Sequence, residues 1–126
     1  MNSGGRVCRT RRRCTLRTWL NNDFYNEFSN EEKAMIKKTH NSNPDNSEYN
    51  TDGGSDTDDY FFLLSIDEAE DVNEKIRANG SWWWLRSPGH YQYRAAGVYR
   101  DGSLRTSGID ARIVNGVRPA LNLKFD

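Results

Sequence analysis

The stretch Trp82-Trp83-Trp84-Leu85-Arg86-Ser87-Pro88-Gly89 limits what this chain can fold into more than any other. It is a short apolar run, interrupted by an arginine and closed by a proline, the pattern of a buried strand carrying a cation at its rim. A second run of the same design, Gly116-Val117-Arg118-Pro119-Ala120-Leu121-Asn122-Leu123, stands near the end of the chain. Between them lie mostly polar, aromatic and glycine residues. Two core strands framing a polar insert describe a scaffold that displays a surface. They argue for a recognition module without naming its ligand.

A chain of 126 residues makes one domain at most, with a modest core. Its 18 basic and 18 acidic residues cancel but are unevenly spread. Arg6, Arg9, Arg11, Arg12, Arg13 and Arg17 all precede the first acidic residue, Asp23, whereas Asp45, Glu48, Asp52, Asp56, Asp58 and Asp59 occupy a middle free of Lys and Arg. An arginine cluster can bind nucleic acid through phosphate contacts. Composition favours a disordered basic leader over residues 1–13 instead, with a single domain over 14–126, and nucleic acid is set second. Cys8 and Cys14, separated by five residues, have only His40 and His90 as further soft ligands, too few for a structural zinc site. No run approaches the roughly 20 apolar residues of a membrane span, and the N-terminus has no apolar signal core. The chain carries no readable address.

Leu16, Trp19, Leu20, Phe24 and Phe28 recur at helical spacing after Thr15, which can cap a first helix. Ser29-Asn30-Glu31-Glu32 fits a capping box and predicts a second helix running to Thr39, with Ala34, Met35 and Ile36 on its buried face. Residues 40–59 read as a long loop too polar to be core. Tyr60-Phe61-Phe62-Leu63-Leu64-Ser65 reads as a central buried strand, and Ser65 or Asp67 caps a helix through Glu68, Ala69, Val72 and Ile76. Strands follow at 82–85 and 95–99, with a sharp turn at Ser87-Pro88-Gly89. Asp101-Gly102 signals a type I′ hairpin into strands at 103–106, 110–114 and 117–123. Helices first and antiparallel strands after is the α+β pattern.

Several of these residues invite a functional reading. Arg86 and Arg118 occupy equivalent positions in their runs, and a buried arginine must be paired and hydrogen-bonded. A structural clamp is favoured over ligand binding for both, with Asp67, Glu68 and Asp101 as candidate partners. Trp82, Trp83 and Trp84 alternate across a strand, so Trp83 faces opposite to its neighbours. Asp52-Gly53-Gly54-Ser55-Asp56-Thr57-Asp58-Asp59 offers oxygen ligands for Ca²⁺, but its spacing is not that of an EF-hand. No cofactor is expected, and neither histidine has an assignable acid partner for nucleophilic catalysis.

Trp83-Trp84-Leu85-Arg86-Ser87-Pro88-Gly89, Ala95-Ala96-Gly97-Val98 with Asp101-Gly102-Ser103, and Gly116-Val117-Arg118-Pro119-Ala120-Leu121-Asn122-Leu123 together resemble DUF6273, a bacterial domain family of unknown function. Leu16-Arg17-Thr18-Trp19-Leu20-Asn21, the Phe28-Ser29-Asn30-Glu31-Glu32-Lys33 turn and Phe62-Leu63-Leu64-Ser65 extend the likeness. The resemblance implies a C-type-lectin-like fold, distantly similar to the formylglycine-generating enzyme domain and to retroelement-diversified variable proteins. It also implies a cell-surface or extracellular setting. Relatives carry a strand pair upstream of the first helix where this chain has the Arg-rich residues, which reads as an N-terminal truncation or a shifted reading frame. The paired cysteines of the formylglycine-generating enzymes have no counterpart in 15–126, so that activity is not carried over. No Glu-Pro-Asn or Trp-Asn-Asp pattern of calcium-dependent sugar lectins is present.

The resemblance places residues 90–115 where related folds present a ligand face. His90, Tyr91, Gln92, Tyr93, Arg94, Tyr99, Arg100, Arg105, Ile109, Arg112 and Asn115 are the candidate ligand-binding residues, of the types adaptable surfaces use. Trp83, Trp84, Arg86, Pro88, Gly89, Asp101, Gly102, Gly116, Arg118 and Pro119 are expected to be structural. The expected function is non-catalytic binding of a protein or carbohydrate. A diversified receptor and an enzyme remnant are the alternatives.

Overall fold

The structure, a computed structural model, describes residues 11–110 and 116–125. Helix α1 (Arg11–Trp19) continues through a π-helical turn (Leu20–Phe24) and a 3-10 turn (Tyr25–Glu27). It begins before Thr15, which therefore lies inside the helix and does not cap it; residues 1–10 of the expected leader lie outside the described residues. Leu16, Leu20, Phe24 and Phe28 are spaced by four, slightly more than one α-turn, and the wider π-turn keeps them over one core.

Ser29 caps helix α2 (Asn30–Met35) with both capping-box bonds: Glu32 N–H donates to Ser29 Oγ at 3.1 Å, and Ser29 N–H to Glu32 Oε1 at 2.7 Å. The helix stops at Met35 rather than Thr39. Ile36 turns extended and buries itself in strand β1 (Ile36–Lys37), opposite Leu123 of the last strand, while Met35 and Ala34 are exposed. A β-branched residue gains more in that pleated, buried position than at a helix end facing water.

The polar stretch 40–59 is not a plain loop. Strands β2 (Thr39–Asn41) and β3 (Thr57–Asp59) pair antiparallel across it, and Asn41, Asn46, Thr51, Thr57 and Asp59 are all buried. Buried polar groups persist where their hydrogen bonds are made. Asn46 Nδ2 donates to Pro88 O and Thr106 O, each at 2.9 Å. Asp59 accepts from Arg17 Nε at 2.7 Å, from Thr57 Oγ1 at 2.6 Å and from Asn41 Nδ2 at 3.3 Å.

At the hairpin's surface His40 stands opposite Asp58, its Nδ1 2.8 Å from Asp58 Oδ1 and its Nε2 3.3 Å from Asp56 Oδ2. The hydrogen bond to Asp58, then that to Asp56, raises the imidazole above its ordinary value of 6.5. Such a group adds stability that is fully present below its unfolded pKa and is lost as pH rises through the raised folded value. Asp56, held below its ordinary 3.8 chiefly by the Asn43 N–H, keeps its charge well into the acid range. His40→Gln is therefore expected to lower the melting temperature at mildly acidic pH and to match the wild type above the imidazole range. Thermal unfolding across that range checks it; a difference independent of pH would leave His40 a packing role only.

The core is built on a three-stranded antiparallel sheet, β4 (Trp83–Pro88), β5 (Arg94–Val98) and β6 (Leu104–Asp110), in that order. Trp84 and Ala95 pack with Leu20, Ile36, Phe61 and Leu63, under Phe24 and Phe28 from the N-terminal helical segment. Trp83, Leu85, Ala96 and Val98 pack on the other side with Ala69, Leu64 and Ile66. Adjacent tryptophans thus anchor opposite faces, as strand alternation requires.

Tyr60 to Ser65 bends at Tyr60 and Phe61 and forms no strand ladder. Phe62 makes a single bridge with Ala120, while Phe61 and Leu63 enter one core cluster and Leu64 packs against the other. Its apolarity reflects burial in several directions rather than pairing. The helix after it is two helices, α3 (Ile66–Glu70) and α4 (Glu74–Arg77), each with its own cap, Ser65 and Asn73; Ile76 is exposed. Strand β4 runs through Pro88, whose missing N–H falls in a break of the β4–β5 register, so the turn lies beyond it at 90–93. At Asp101-Gly102 only Gly102 has positive φ (+92°), with Gly102 N–H bonded to Tyr99 O at 2.9 Å. That geometry is a four-residue turn, Tyr99 to Gly102, that ends on a left-handed glycine, not a type I′ turn, which needs two positive φ values. The final segment is strand β7 (Asn122–Leu123) on β1, preceded by bridges at Ala120 and at Gly116, which pairs in parallel with Trp83. The expected strand near 110–114 falls mostly outside the described residues. The architecture is α+β, with small antiparallel sheets.

Candidate functional site

The end of β4 fixes the site. A Cβ on Gly89 would stand 2.4 Å from Ser107 O, so only glycine allows this approach to β6. Gly89 N–H then bonds Arg94 O at 2.9 Å and His90 N–H bonds Ser107 O at 2.7 Å. The turn between these anchors holds its place through backbone groups and lifts its side chains into solvent. His90, Tyr91, Gln92 and Tyr93 are exposed, Tyr91 by 46% and Tyr93 by 52%.

Their rings form a ladder. Tyr49, from the polar stretch, meets His90 at 4.5 Å; His90 stacks on Tyr91 at 4.3 Å and 19°, and Tyr91 on Tyr93 at 5.3 Å and 2°. The Arg94 guanidinium lies 5.3 Å from the Tyr91 ring and 5.8 Å from that of Tyr93. Beside the ladder opens a cleft of about 740 Å³, lined among the described residues by Trp82, Tyr93, Arg94, Arg105, Ile109 and Asp110. Trp82 meets Tyr99 edge-on at 4.2 Å, and Arg105 lies over the Tyr99 ring and donates to its hydroxyl. The arrangement offers aromatic surface and cationic donors together.

The expected surface residues divide. His90, Tyr91, Gln92 and Tyr93 come together on one turn with Arg94 at the start of β5, and Arg105 lines the cleft with Tyr93 and Arg94. Tyr99 is half-buried as support for Trp82 and Arg105, and Arg100 is exposed on the next turn. Ile109, expected as an exposed contact, is half-buried and packs against the core cluster of Trp84 and Ala95. It sits opposite Ala95 in the ladder, which turns it inward. Arg112 and Asn115 lie outside the described residues. Trp82, weighed with Trp83 and Trp84 but not placed among the binding residues, lines the cleft, and Tyr49 and Asp110 join the site unexpected. The signal for Tyr49 was a lone aromatic in a polar stretch.

Half-buried donors hold this platform. Arg86, whose side chain is 13% exposed, pairs with Glu68 at 2.5 Å, donates to Leu63 O at 2.8 Å and Ser42 O at 2.9 Å, and reaches Asn43 Oδ1 at 3.0 Å. Glu68, not Asp67 or Asp101, is thus its carboxylate partner. Asp101 instead accepts from the N–H and hydroxyl of Ser103, which lower its pKa. Arg118 takes the carbonyls of Ile76 and Arg77 at 3.1 and 3.2 Å while lying 4.7 Å from the Trp83 ring. Pro119 is exposed beside it, and a Cβ on Gly116 would come within 2.8 Å of Trp82 O. Arg77, not anticipated from sequence, ties Gly102 O, Ala69 O and Val72 O at 2.8–3.1 Å.

The acidic stretch 52–59 spends its carboxylates on protein partners: Asp52 on the Gly54 N–H, Asp56 on the Asn43 N–H and His40, Asp58 on His40 and Asp59 on Arg17. Among the described residues no group of three or more His, Cys, Asp or Glu is set to hold a metal ion, and no helix is long and apolar enough to cross a membrane.

Compared with known proteins, residues 10–125 match the model of a family described as a domain of unknown function, DUF6273. No curated protein and no solved structure matches the chain.

Proposed function

This chain belongs to the DUF6273 domain family, and on that premise we propose that it is a non-catalytic binding or display module of C-type-lectin-like fold, engaging a protein or glycan through the 90–115 surface. The observation that carries the reading is the ladder of His90, Tyr91 and Tyr93 with Arg94, exposed on a turn that is anchored by its backbone. Large rigid rings and an arginine give contact area at low entropic cost, which is what binding surfaces select. A natural monomer gains nothing in core stability from rings held in water.

An array of cell-surface proteins and glycans probed with the full chain tests this. Tyr91→Ala and Tyr93→Ala are expected to weaken any hit by about tenfold or more while leaving thermal unfolding unchanged, because both rings are half in solvent. Hits that survive both substitutions would move the binding surface elsewhere. The diversified-receptor reading draws on the same geometry. Side chains at 90–93 that contribute little to the fold can vary between copies of a domain without unfolding it.

A further inference from the structure

We infer that the cleft beside the ring ladder takes an acidic peptide segment of a partner protein, its carboxylates held by Arg94 and Arg105 and an apolar side chain laid against Trp82. This rests on the binding-surface reading and names its ligand class. Arg94 is half-buried, yet among the described residues its guanidinium meets only the ring faces of Tyr91 and Tyr93 and no carboxylate. Arg105 is exposed and gives one donor to the Tyr99 hydroxyl. By contrast Arg17 and Arg86 each carry a carboxylate partner, and Arg77 and Arg118 give their donors to backbone carbonyls. Each guanidinium presents five N–H donors in a planar fork that matches a carboxylate. Two such groups on one cleft attract negative charge.

The rest of the lining decides the class. A neutral sugar needs several acceptors and amides for its hydroxyls, and among the described residues the cleft supplies one carboxylate, Asp110, which is already engaged. A single-stranded nucleic acid needs open ring faces, whereas the Tyr91 and Tyr93 faces cover each other at 2° and His90 covers Tyr91 at 19°. Carboxylates flanked by an apolar side chain use what remains: two cationic forks and the Trp82 and Ile109 surface.

Fluorescence anisotropy of the full chain with a labelled poly(Glu,Tyr) copolymer, competed by poly(Lys,Tyr), polygalacturonate and oligo(dT), tests the assignment. Poly(Glu,Tyr) is expected to bind, and Arg94→Gln and Arg105→Gln each to weaken it about tenfold with unchanged melting temperature. Competition by polygalacturonate or oligo(dT) as strong as that by unlabelled poly(Glu,Tyr) overturns it, and so do arginine variants that bind like the wild type. If those variants are silent while Tyr91→Ala abolishes array binding, the surface stands and the acidic-peptide assignment falls.

Discussion

Arg86→Met is expected to lower the unfolding free energy by about 3 kcal/mol. The side chain bridges three segments: Leu63 ahead of α3, Ser42 and Asn43 after β2, and Glu68 within α3. Methionine keeps most of the volume but leaves two backbone carbonyls and an amide oxygen without that donor, and each such loss costs about 1–3 kcal/mol where the group is buried. Glu68 is 44% exposed and the Ser42 bond is also exposed, so water screens the ion pair and can replace the donor at Ser42 O, and the half-buried bonds to Leu63 O and Asn43 Oδ1 dominate. Arg86→Lys is expected to recover less than half, because one ammonium cannot span the fork.

The pH dependence gives the same contact a second readout. Burial pushes the Glu68 carboxyl up, but the Arg86 hydrogen bond, the Ser65 N–H and the Arg86 charge together outweigh it and leave the pKa below its ordinary 4.5. A carboxylate lowered in the folded state contributes stability present above its unfolded pKa and lost as pH falls through the folded value. The loss of stability on acidification should therefore be shallower in Arg86→Met than in the wild type. Urea titrations at neutral and acid pH measure both effects. A methionine variant within about 0.5 kcal/mol of wild type would mean that the three segments are held without the arginine.

Trp84→Ala is expected to cost about 3–5 kcal/mol, and Trp82→Ala, two residues away, much less. Trp84 is 6% exposed and is packed with Leu20, Ile36, Phe61 and Ala95, so its removal opens a cavity between the N-terminal helical segment and the sheet. Trp82 is half-buried, touches Tyr99 by its edge and forms a wall of the cleft. Its loss should spare folding and weaken ligand capture. Denaturant unfolding of the two variants side by side, read by far-UV circular dichroism, separates the roles; equal losses would place Trp82 in the core.

The Ser29 and Glu32 capping box joins residues three apart, and no distant part of the chain is needed to form it. The alternation of Trp83 and Trp84 follows from strand geometry, and both are buried on opposite faces. The segment rich in His and Tyr was legible because such residues stand out beside a strand that ends in Pro88, although the turn itself falls within that segment and not at Ser87-Pro88-Gly89. Local patterns failed where a distant partner chose the conformation. Ile36 could have prolonged a helix, yet pairing with Leu123 made it a strand. The apolar run at 60–65 met different neighbours on each side and formed no ladder.

The site divides along the same line. Sequence alone determined an α+β chain, the helix starts at Ser29 and Ser65, its paired arginines and an aromatic, arginine-bearing segment after β4, since each follows from spacing or side-chain chemistry within a few residues. Only the tertiary structure decided that Arg86 would take Glu68, that Asn46 would be buried between Pro88 and Thr106, that Tyr49 would join the ladder, and that Ile109 would turn inward. Those outcomes depend on which strands lie side by side and in what register. A hydrogen bond or a stacked ring is worth its energy only at contact distance, and the whole fold sets that distance.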